Sequence, residues 1–185
     1  MSMGIYPNML GDRWLELPAS VRRFHYIDHP ISAKGVFRIR RGSHFLAGIV
    51  CGLFGLPKNC DSAETRLSIT MDDGCEQWLR TFDSRPFLTL QSPCCDGLLL
   101  ERIGRVELTF RLSIEDRALV YTQVKAAFRI GPIRMPFPKW FAPNTWAKEA
   151  AEHNSDQAHI IVKVSAPVIG TLIFYEGTLA LQESN

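Results

Sequence analysis

Apolar and polar residues alternate along most of the chain after residue 65. The segment "VELTFRLSI", residues 106–114, alternates without a break. A period of two places successive side chains on opposite faces of a strand, so this segment predicts a strand with one buried and one solvated face. The segment "RLSITMDDG", residues 66–74, also alternates and ends in Asp-Gly, a dipeptide typical of hairpin turns.

The segment "VYTQVKAAFRI", residues 120–130, continues this pattern. The alternation predicts that Val120, Val124 and Phe128 share one face, with Tyr121 on the other. Short turns join the predicted strands, which indicates antiparallel pairing. About eight strands are predicted. A sheet of this size tends to curl, and closure into a barrel or half-barrel would remove its exposed edges.

Three helices are predicted beside the sheet. Pro18 suits the first turn of a helix that continues over residues 19–26. The apolar stretch at 44–57 predicts a buried helix, with a re-entrant or interfacial segment as the alternative; it is shorter than the roughly 20 residues that span a bilayer. The alanine-rich segment 144–154 predicts a short late helix. We therefore predict a mainly β (α+β) single domain over residues 1–185, with two N-terminal helices and one late helix.

Composition and motifs exclude several classes of function. The chain of 185 residues mixes 21 basic with 19 acidic side chains, so it has no concentrated basic face for nucleic acid. Its start lacks the pattern of a secretory signal, and its five cysteines lack a Cys-x-x-Cys pair, which predicts neither disulfides nor zinc. We expect a cytoplasmic protein with no cofactor, no metal and no transmembrane segment. A redox role for Cys94 and Cys95, in a predicted turn, is left open.

One predicted strand places a charged residue among large aromatics. In "EQWLRTF", residues 76–82, Trp78, Arg80 and Phe82 fall on one face. A buried guanidinium is costly without a carboxylate, and Glu101, in an apolar strand, is the predicted partner at salt-bridge distance. Two interpretations follow: a structural ion pair that fixes strand register, or a polar anchor for a ligand in an apolar cavity. Tyr175 could add a hydroxyl to such an anchor.

The segment "IGPIRMPFPKWFAP", residues 130–143, combines prolines with large apolar side chains. Prolines exclude a regular helix or a central strand. Leaving Phe137, Trp140 and Phe141 in water would forgo roughly 5–9 kcal/mol, so the segment is expected to lie on an apolar surface. It could be a fixed lid, a mobile border of a cavity, or a contact for a membrane surface or a partner protein.

Several segments, in order, carry a family resemblance: "MLGDRWLELPASVRRFH", "KGVFRIRRG", "EQWLRTF", "LLLERIG", "MPFPKWFAP" and "IFYEGTL". Over about residues 9–179 the chain resembles an uncharacterised bacterial domain family, described only as a domain of unknown function. Members of that family occur alone or fused behind saccharopine-dehydrogenase-like reductase modules. The resemblance implies no activity. It directs attention to a set of positions: His25, Trp78, Arg80, Phe82, Glu101, Arg102, Pro136, Tyr175 and Gly177.

Three functions remain open from the sequence, and no catalytic motif decides among them. The leading hypothesis is a module that binds a hydrophobic or lipid-like small molecule in an apolar pocket. Its predicted ligand-binding residues are Trp78, Arg80, Phe82, Glu101, Trp140, Phe141 and Tyr175. The first alternative is an enzyme that acts on such a ligand with Glu101 or His25 as acid or base. The second is an interaction domain that docks on a reductase partner or a membrane surface through residues 131–143.

Overall fold

A computed structural model describes residues 4–153 and 155–182. The helices are α1 (Ile5–Leu10), α2 (Ala19–His25) and α3 (Phe45–Leu53), with 3₁₀ turns at Gly11–Glu16 and Cys95–Gly97. The strands are β1 (Ile31–Arg41), β2 (Cys60–Asp72), β3 (Cys75–Phe82), β4 (Arg85–Pro93), β5 (Leu99–Ile103), β6 (Val106–Glu115), β7 (Ala118–Ile130), β8 (Ile133–Pro136), β9 (Asn144–Ala151), β10 (Ala158–Ala166) and β11 (Gly170–Leu181).

Ten of these strands close into an antiparallel up-and-down barrel. Each strand pairs with its neighbour along the chain, β9 pairs with β7, and β1 pairs with β11 to complete the circle. The eleventh strand, β8, pairs with β7 and extends the wall as a hairpin. Closure leaves the ten strands without a free edge, as the sequence predicts, although their number exceeds the predicted eight.

The predicted late helix is wrong, because Asn144–Ala151 is strand β9. Alanine favours helix only weakly, and tertiary pairing overrides such a preference. Here β9 is hydrogen-bonded on both sides, to β7 and to β10. Within it Thr145 and Glu149 are buried while Asn144 and Trp146 are exposed, which is the alternation of a barrel strand.

A bulge in β7 reverses the inside-outside alternation that the sequence predicts. The register with β6 shifts where Phe110 faces Gln123 and Thr109 faces Lys125, so Val124 is the extra residue. Phe128, beyond the bulge, packs on the core as predicted, whereas Tyr121, before it, is buried although a solvent face was predicted. One extra residue therefore turns a predicted surface tyrosine into an interior one.

The N-terminal helices close one end of the barrel. Helix α2 begins after Pro18, as predicted, and buries Val21, Phe24 and His25. Helix α1 buries Ile5 and Tyr6. Both helices reach inward-facing side chains of the wall. In α1 the Ile5 amide and the Tyr6 hydroxyl bond to residues of β3 and β4, and in α2 His25 bonds to Glu149 of β9. We call this the closed end.

Helix α3 lies at the opposite end of the barrel, against β1 and β11. The sequence predicts it as a buried helix, and this is only partly right. Ala47 and Cys51 are buried, and the Cys51 thiol donates to the Leu172 carbonyl at 3.3 Å. Its other face is open to solvent. The described part of the chain contains no helix long and apolar enough to cross a membrane.

Strands β1 and β11 approach closely where they complete the barrel. A Cβ atom at Gly177 would lie 2.1 Å from the Val36 carbonyl oxygen, and one at Gly35 would lie 1.8 Å from that of Thr178. No side chain fits at either distance. These two glycines therefore allow the first and last strands to meet in register.

Candidate ligand-binding cavity

The barrel encloses a cavity of about 300 Å³ between the closed end and α3. A barrel's diameter grows with its strand number, and eight strands leave an interior that side chains nearly fill. Ten strands leave more room. Most of the lining is apolar, with side chains from β2, β6, β10 and β11 such as Leu67, Leu108, Val162 and Ile173. This is the composition of small-molecule sites, which are apolar with a few placed polar groups.

The structure brings six of the seven predicted site residues to this cavity. Residues on β3, β5 and β11 line its wall, and one loop residue lies at its mouth: Trp78, Arg80, Phe82, Glu101, Tyr175 and Phe141. Trp140 is the exception. It is exposed and lies outside the cavity lining. The centre of its ring is 5.3 Å from that of Phe141. Trp140 and Phe141 differ in this way because adjacent side chains in an irregular loop can point to opposite sides.

The predicted ion pair between Arg80 and Glu101 does not form among the described residues. Arg80 donates instead to the Thr89 hydroxyl at 3.0 Å, and its guanidinium lies 5.1 Å from the centre of the Trp78 ring. Glu101 accepts a hydrogen bond from the Gln91 amide at 3.2 Å. The two charged residues are therefore separately supported and both face the cavity.

The floor of the cavity is a hydrogen-bonded polar cluster at the closed end. His25 Nε2 lies 2.6 Å from Glu149 Oε2, and the Tyr121 hydroxyl donates to Glu149 Oε1 at 3.1 Å. The Tyr6 hydroxyl donates to Gln91 Oε1 at 2.6 Å and lies 3.2 Å from the Tyr121 oxygen. Since Gln91 also holds Glu101, one connected network links α2 to β5.

Three residues of this floor line the cavity but were not predicted from the sequence: Gln91, Tyr121 and Glu149. Tyr121 was predicted on the outer face because the bulge in β7 is not visible in the alternation. Glu149 was placed in the wrongly predicted helix. His25 was considered, but it is fully buried behind the floor and does not line the cavity. A ligand would meet Glu149 before it met His25.

Burial and charge set the ionisation of the floor. Burial raises the pKa of Glu149, but the positive charge of His25 and hydrogen bonds from His25 and Tyr121 outweigh it, so this pKa lies below its usual value. Burial, reinforced by nearby carboxylates, holds the pKa values of Tyr6 and Tyr121 well above the usual value. The floor at neutral pH is thus a carboxylate held by neutral phenols and a histidine.

A second buried carboxyl connects the closed end to the wall. Glu76 accepts from the Ile5 backbone amide and from the Trp78 indole, both at 3.0 Å. Burial raises its pKa, against these hydrogen bonds and the charge of His25, which lower it. The Trp78 indole is therefore fixed by one partner, and its ring supports Arg80. Helix α1, β3 and the cavity wall are held together at this point.

Tyr175 adds a hydroxyl to the middle of the cavity. Burial raises its pKa to about 12, although the positive charge of Arg80 lowers it in part. The phenol is therefore neutral at physiological pH and can donate a hydrogen bond. Its ring packs against Phe37 and Phe82 in edge-on contacts at 6.0 and 5.7 Å. Tyr175 and Arg80 thus present two donors to the same space.

The mouth of the cavity is bordered by two apolar elements. Helix α3 contributes Val50 and Phe54, and the proline-rich loop between β8 and β9, residues 137–143, contributes Phe137 and Phe141. Phe137 packs edge-on against Phe128 at 6.4 Å, which anchors the start of the loop. The expectation that this loop covers an apolar surface is met by Phe137, which packs on the core, and in part by Phe141, which lines the cavity but is 45% exposed. It is wrong for Trp140, which is exposed. The cavity thus extends from a polar floor to an apolar mouth.

Comparison with known proteins identifies the family of the chain. Residues 17–179 match the model described as a domain of unknown function (DUF4166), and the chain belongs to this family. This confirms the resemblance to an uncharacterised domain family. Comparison with curated proteins and with solved structures gave no match.

Proposed function

We propose that this member of the DUF4166 family binds a hydrophobic small molecule with an acidic head group inside the barrel. The observation that carries the proposal is the Arg80 guanidinium, which lines a mostly apolar cavity and takes part in no ion pair among the described residues. A cation in such a place is costly unless an anion answers it. A ligand carboxylate would supply that anion.

The position of the other polar groups supports the same ligand chemistry. Tyr175 is a neutral donor near Arg80, so both groups suit an acceptor such as a carboxylate oxygen. The lining between them and the mouth is apolar and suits a hydrocarbon tail. The head would enter first and lie at mid-depth, and the tail would extend toward Val50 and Phe141. The volume of about 300 Å³ fits a single small ligand.

Binding of a dansyl-labelled medium-chain fatty acid, followed by fluorescence, tests this function. The wild-type chain is expected to bind the labelled acid, and unlabelled acid should displace it. The Arg80→Met variant keeps the side-chain length but removes the charge and its donors. Loss of a charge-assisted hydrogen bond should weaken binding of the acid about 10- to 100-fold. Binding of the matching fatty alcohol should change little.

The matched control is Arg66→Met. Arg66 lies on β2 next to β3, is exposed, and points away from the cavity. Its removal should leave the affinity for the acid unchanged. Failure of the wild type to bind either probe, or equal affinity of wild type and Arg80→Met for the acid, would refute the proposal. Mass spectrometry of denatured, freshly purified protein should in addition release an organic acid.

A further inference from the structure

An exposed apolar surface surrounds the mouth of the cavity. On α3, Phe45, Ile49 and Leu53 recur every four residues and are 72%, 60% and 79% exposed. That spacing places them on one face of the helix, opposite the buried Ala47 and Cys51. On the loop after β8, Trp140 and Phe141 are 62% and 45% exposed. We call these five side chains the apolar collar.

The two parts of the collar belong to one surface. Residues of the same helix and the same loop, Val50 and Phe141, line one cavity. The helix and the loop therefore both border one opening. The β7–β8 hairpin ends beside this loop and adds two exposed apolar residues, Ile133 and Met135. Exposed apolar groups collected at one place mark a contact site, whereas isolated ones do not.

The charges of the flanking segments indicate what the collar contacts. The chain from His29 to Cys60, which includes α3, contains no Asp or Glu and carries five basic residues: Lys34, Arg38, Arg40, Arg41 and Lys58. The chain from Ala118 to Lys148, which includes the loop, is likewise free of acids and carries Lys125, Arg129, Arg134, Lys139 and Lys148. Elsewhere in the chain the 19 acidic residues outnumber the remaining 11 basic ones.

Some of these basic side chains are paired and others are available. Arg38 and Arg40 pair with Glu176 and Asp61, and Arg129 and Arg134 both pair with Glu107. Among the described residues, Lys58 and Lys139 take part in no ion pair. Both are exposed, one at the end of the α3 segment and the other next to Trp140. Lysines beside exposed aromatic and aliphatic groups match an anionic, apolar partner.

We infer that the apolar collar docks the barrel on an anionic lipid surface, with the cavity mouth facing the bilayer. A lipid surface satisfies the three features together: it accepts Phe45, Leu53 and Trp140 at its apolar boundary and attracts the lysines to its head groups. It also supplies a route for a hydrophobic ligand that avoids water, and this aspect rests on the proposed function. A protein partner would account for the apolar residues but not for the opening at their centre.

Co-sedimentation of the full chain with vesicles of phosphatidylcholine and phosphatidylglycerol tests the inference. The wild type is expected to bind these vesicles and to bind pure phosphatidylcholine vesicles at least fivefold less. The double variant Phe45→Ser/Leu53→Ser should lose at least fivefold in bound fraction. Both residues are exposed, so the variant is expected to fold, and circular dichroism checks this.

Leu15→Ser is the matched control. Leu15 is 71% exposed, like the collar residues, but it lies in the 3₁₀ turn at the closed end. Its replacement should not change vesicle binding. Absence of wild-type binding, or an equal loss in the control and the collar variant, would overturn the inference. In the first case a protein partner would remain as the occupant of the collar.

Trp140 reports the contact directly. Its emission should shift to the blue when anionic vesicles are added, and the Trp140→Phe variant should lose this shift while it still binds. The design separates the two proposals. Arg80→Met should still bind vesicles, and Phe45→Ser/Leu53→Ser should still bind the dansyl-labelled acid in solution. Failure of vesicle binding alone would leave the cavity function standing, and failure of acid binding alone would leave the docking standing.

Discussion

The two ends of the barrel are closed by different means. At one end, buried hydrogen bonds hold α1 and α2 to the wall. They join His25 to Glu149, Tyr6 to Gln91 and the Ile5 amide to Glu76. At the other end, α3 and the proline-rich loop meet the wall mainly through apolar contacts and expose much of their apolar surface. Buried polar groups require fixed geometry, whereas apolar contacts can be exchanged for others.

This difference indicates a division of roles. The closed end fixes the fold and the polar floor, and the mouth is the part that can meet other molecules. If so, substitutions at the closed end should alter stability strongly, and those at the mouth should alter binding but hardly stability.

The largest effect is expected for His25→Ala. Its removal leaves the buried Glu149 carboxylate without the partner that lies 2.6 Å away, and removing one partner of a buried pair costs about 3–5 kcal/mol. Urea unfolding followed by circular dichroism measures the loss. His29→Ala is the matched control: His29 is exposed and, in the part of the chain that the structure describes, pairs only with Asp28 at the surface, so a change within about 0.5 kcal/mol is expected. Equal losses in the two variants would contradict a special role for the closed end.

The pH dependence of stability should differ in sign between the two buried carboxyls. Glu149 has a lowered pKa in the folded state, so its contribution is complete above the unfolded value of about 4.3 and is lost as pH falls through the folded value. Glu76 has a raised pKa, so its contribution is complete below about 4.3 and is lost as pH rises through the folded value.

Unfolding of the wild type, Glu149→Gln and Glu76→Gln at a series of pH values measures this contrast. The difference in free energy of unfolding between the wild type and Glu149→Gln should shrink toward acid pH. The difference between the wild type and Glu76→Gln should shrink, or reverse, toward neutral pH. If both differences changed with pH in the same direction, the opposite pKa shifts of Glu149 and Glu76 would be contradicted.

Smaller effects on stability are expected for two buried threonines of the cavity wall, and the two effects should have opposite signs. The Thr145 hydroxyl is buried without a partner among the described residues, whereas the Thr65 hydroxyl donates to the Ala63 carbonyl at 3.2 Å. An unsatisfied buried hydroxyl costs about 1–3 kcal/mol, so Thr145→Val should stabilise the free protein by about 1 kcal/mol. Thr65→Val should destabilise it by about 0.5–1.5 kcal/mol. Thermal unfolding of both variants compares them, and destabilisation by Thr145→Val would show that its hydroxyl is satisfied.

The smallest effect on stability is expected at the mouth. Leu53→Ser removes a side chain that is almost fully exposed, so the free energy of unfolding should change by no more than about 0.5 kcal/mol. Denaturant unfolding provides the measurement. A loss of several kcal/mol would mean that Leu53 is covered in the folded chain, and the contrast between the two ends would fail.

The alternation of residues in the sequence predicted much of the wall and part of the site. Trp78, Arg80 and Phe82 share the inner face of β3 as predicted, because period two follows from strand geometry alone. Glu101 was found because a carboxyl in an apolar strand is costly unless it faces something polar. What failed was pairing: Arg80 and Glu101 both face the interior, but each is hydrogen-bonded to a neutral side chain of β4, Thr89 or Gln91, and they do not pair with each other.

The sequence by itself determined that strands with one apolar face would close on themselves, and which side chains of β2, β3 and β6 would face inward. Local geometry is enough for that, since alternation depends only on neighbouring residues. The tertiary structure alone decided that residues 144–151 become a strand, because hydrogen bonds from β7 and β10 outweigh the weak helix preference of alanine. It also decided the floor of the cavity, because one bulged residue turns Tyr121 inward to meet Glu149, Tyr6 and His25 across the barrel.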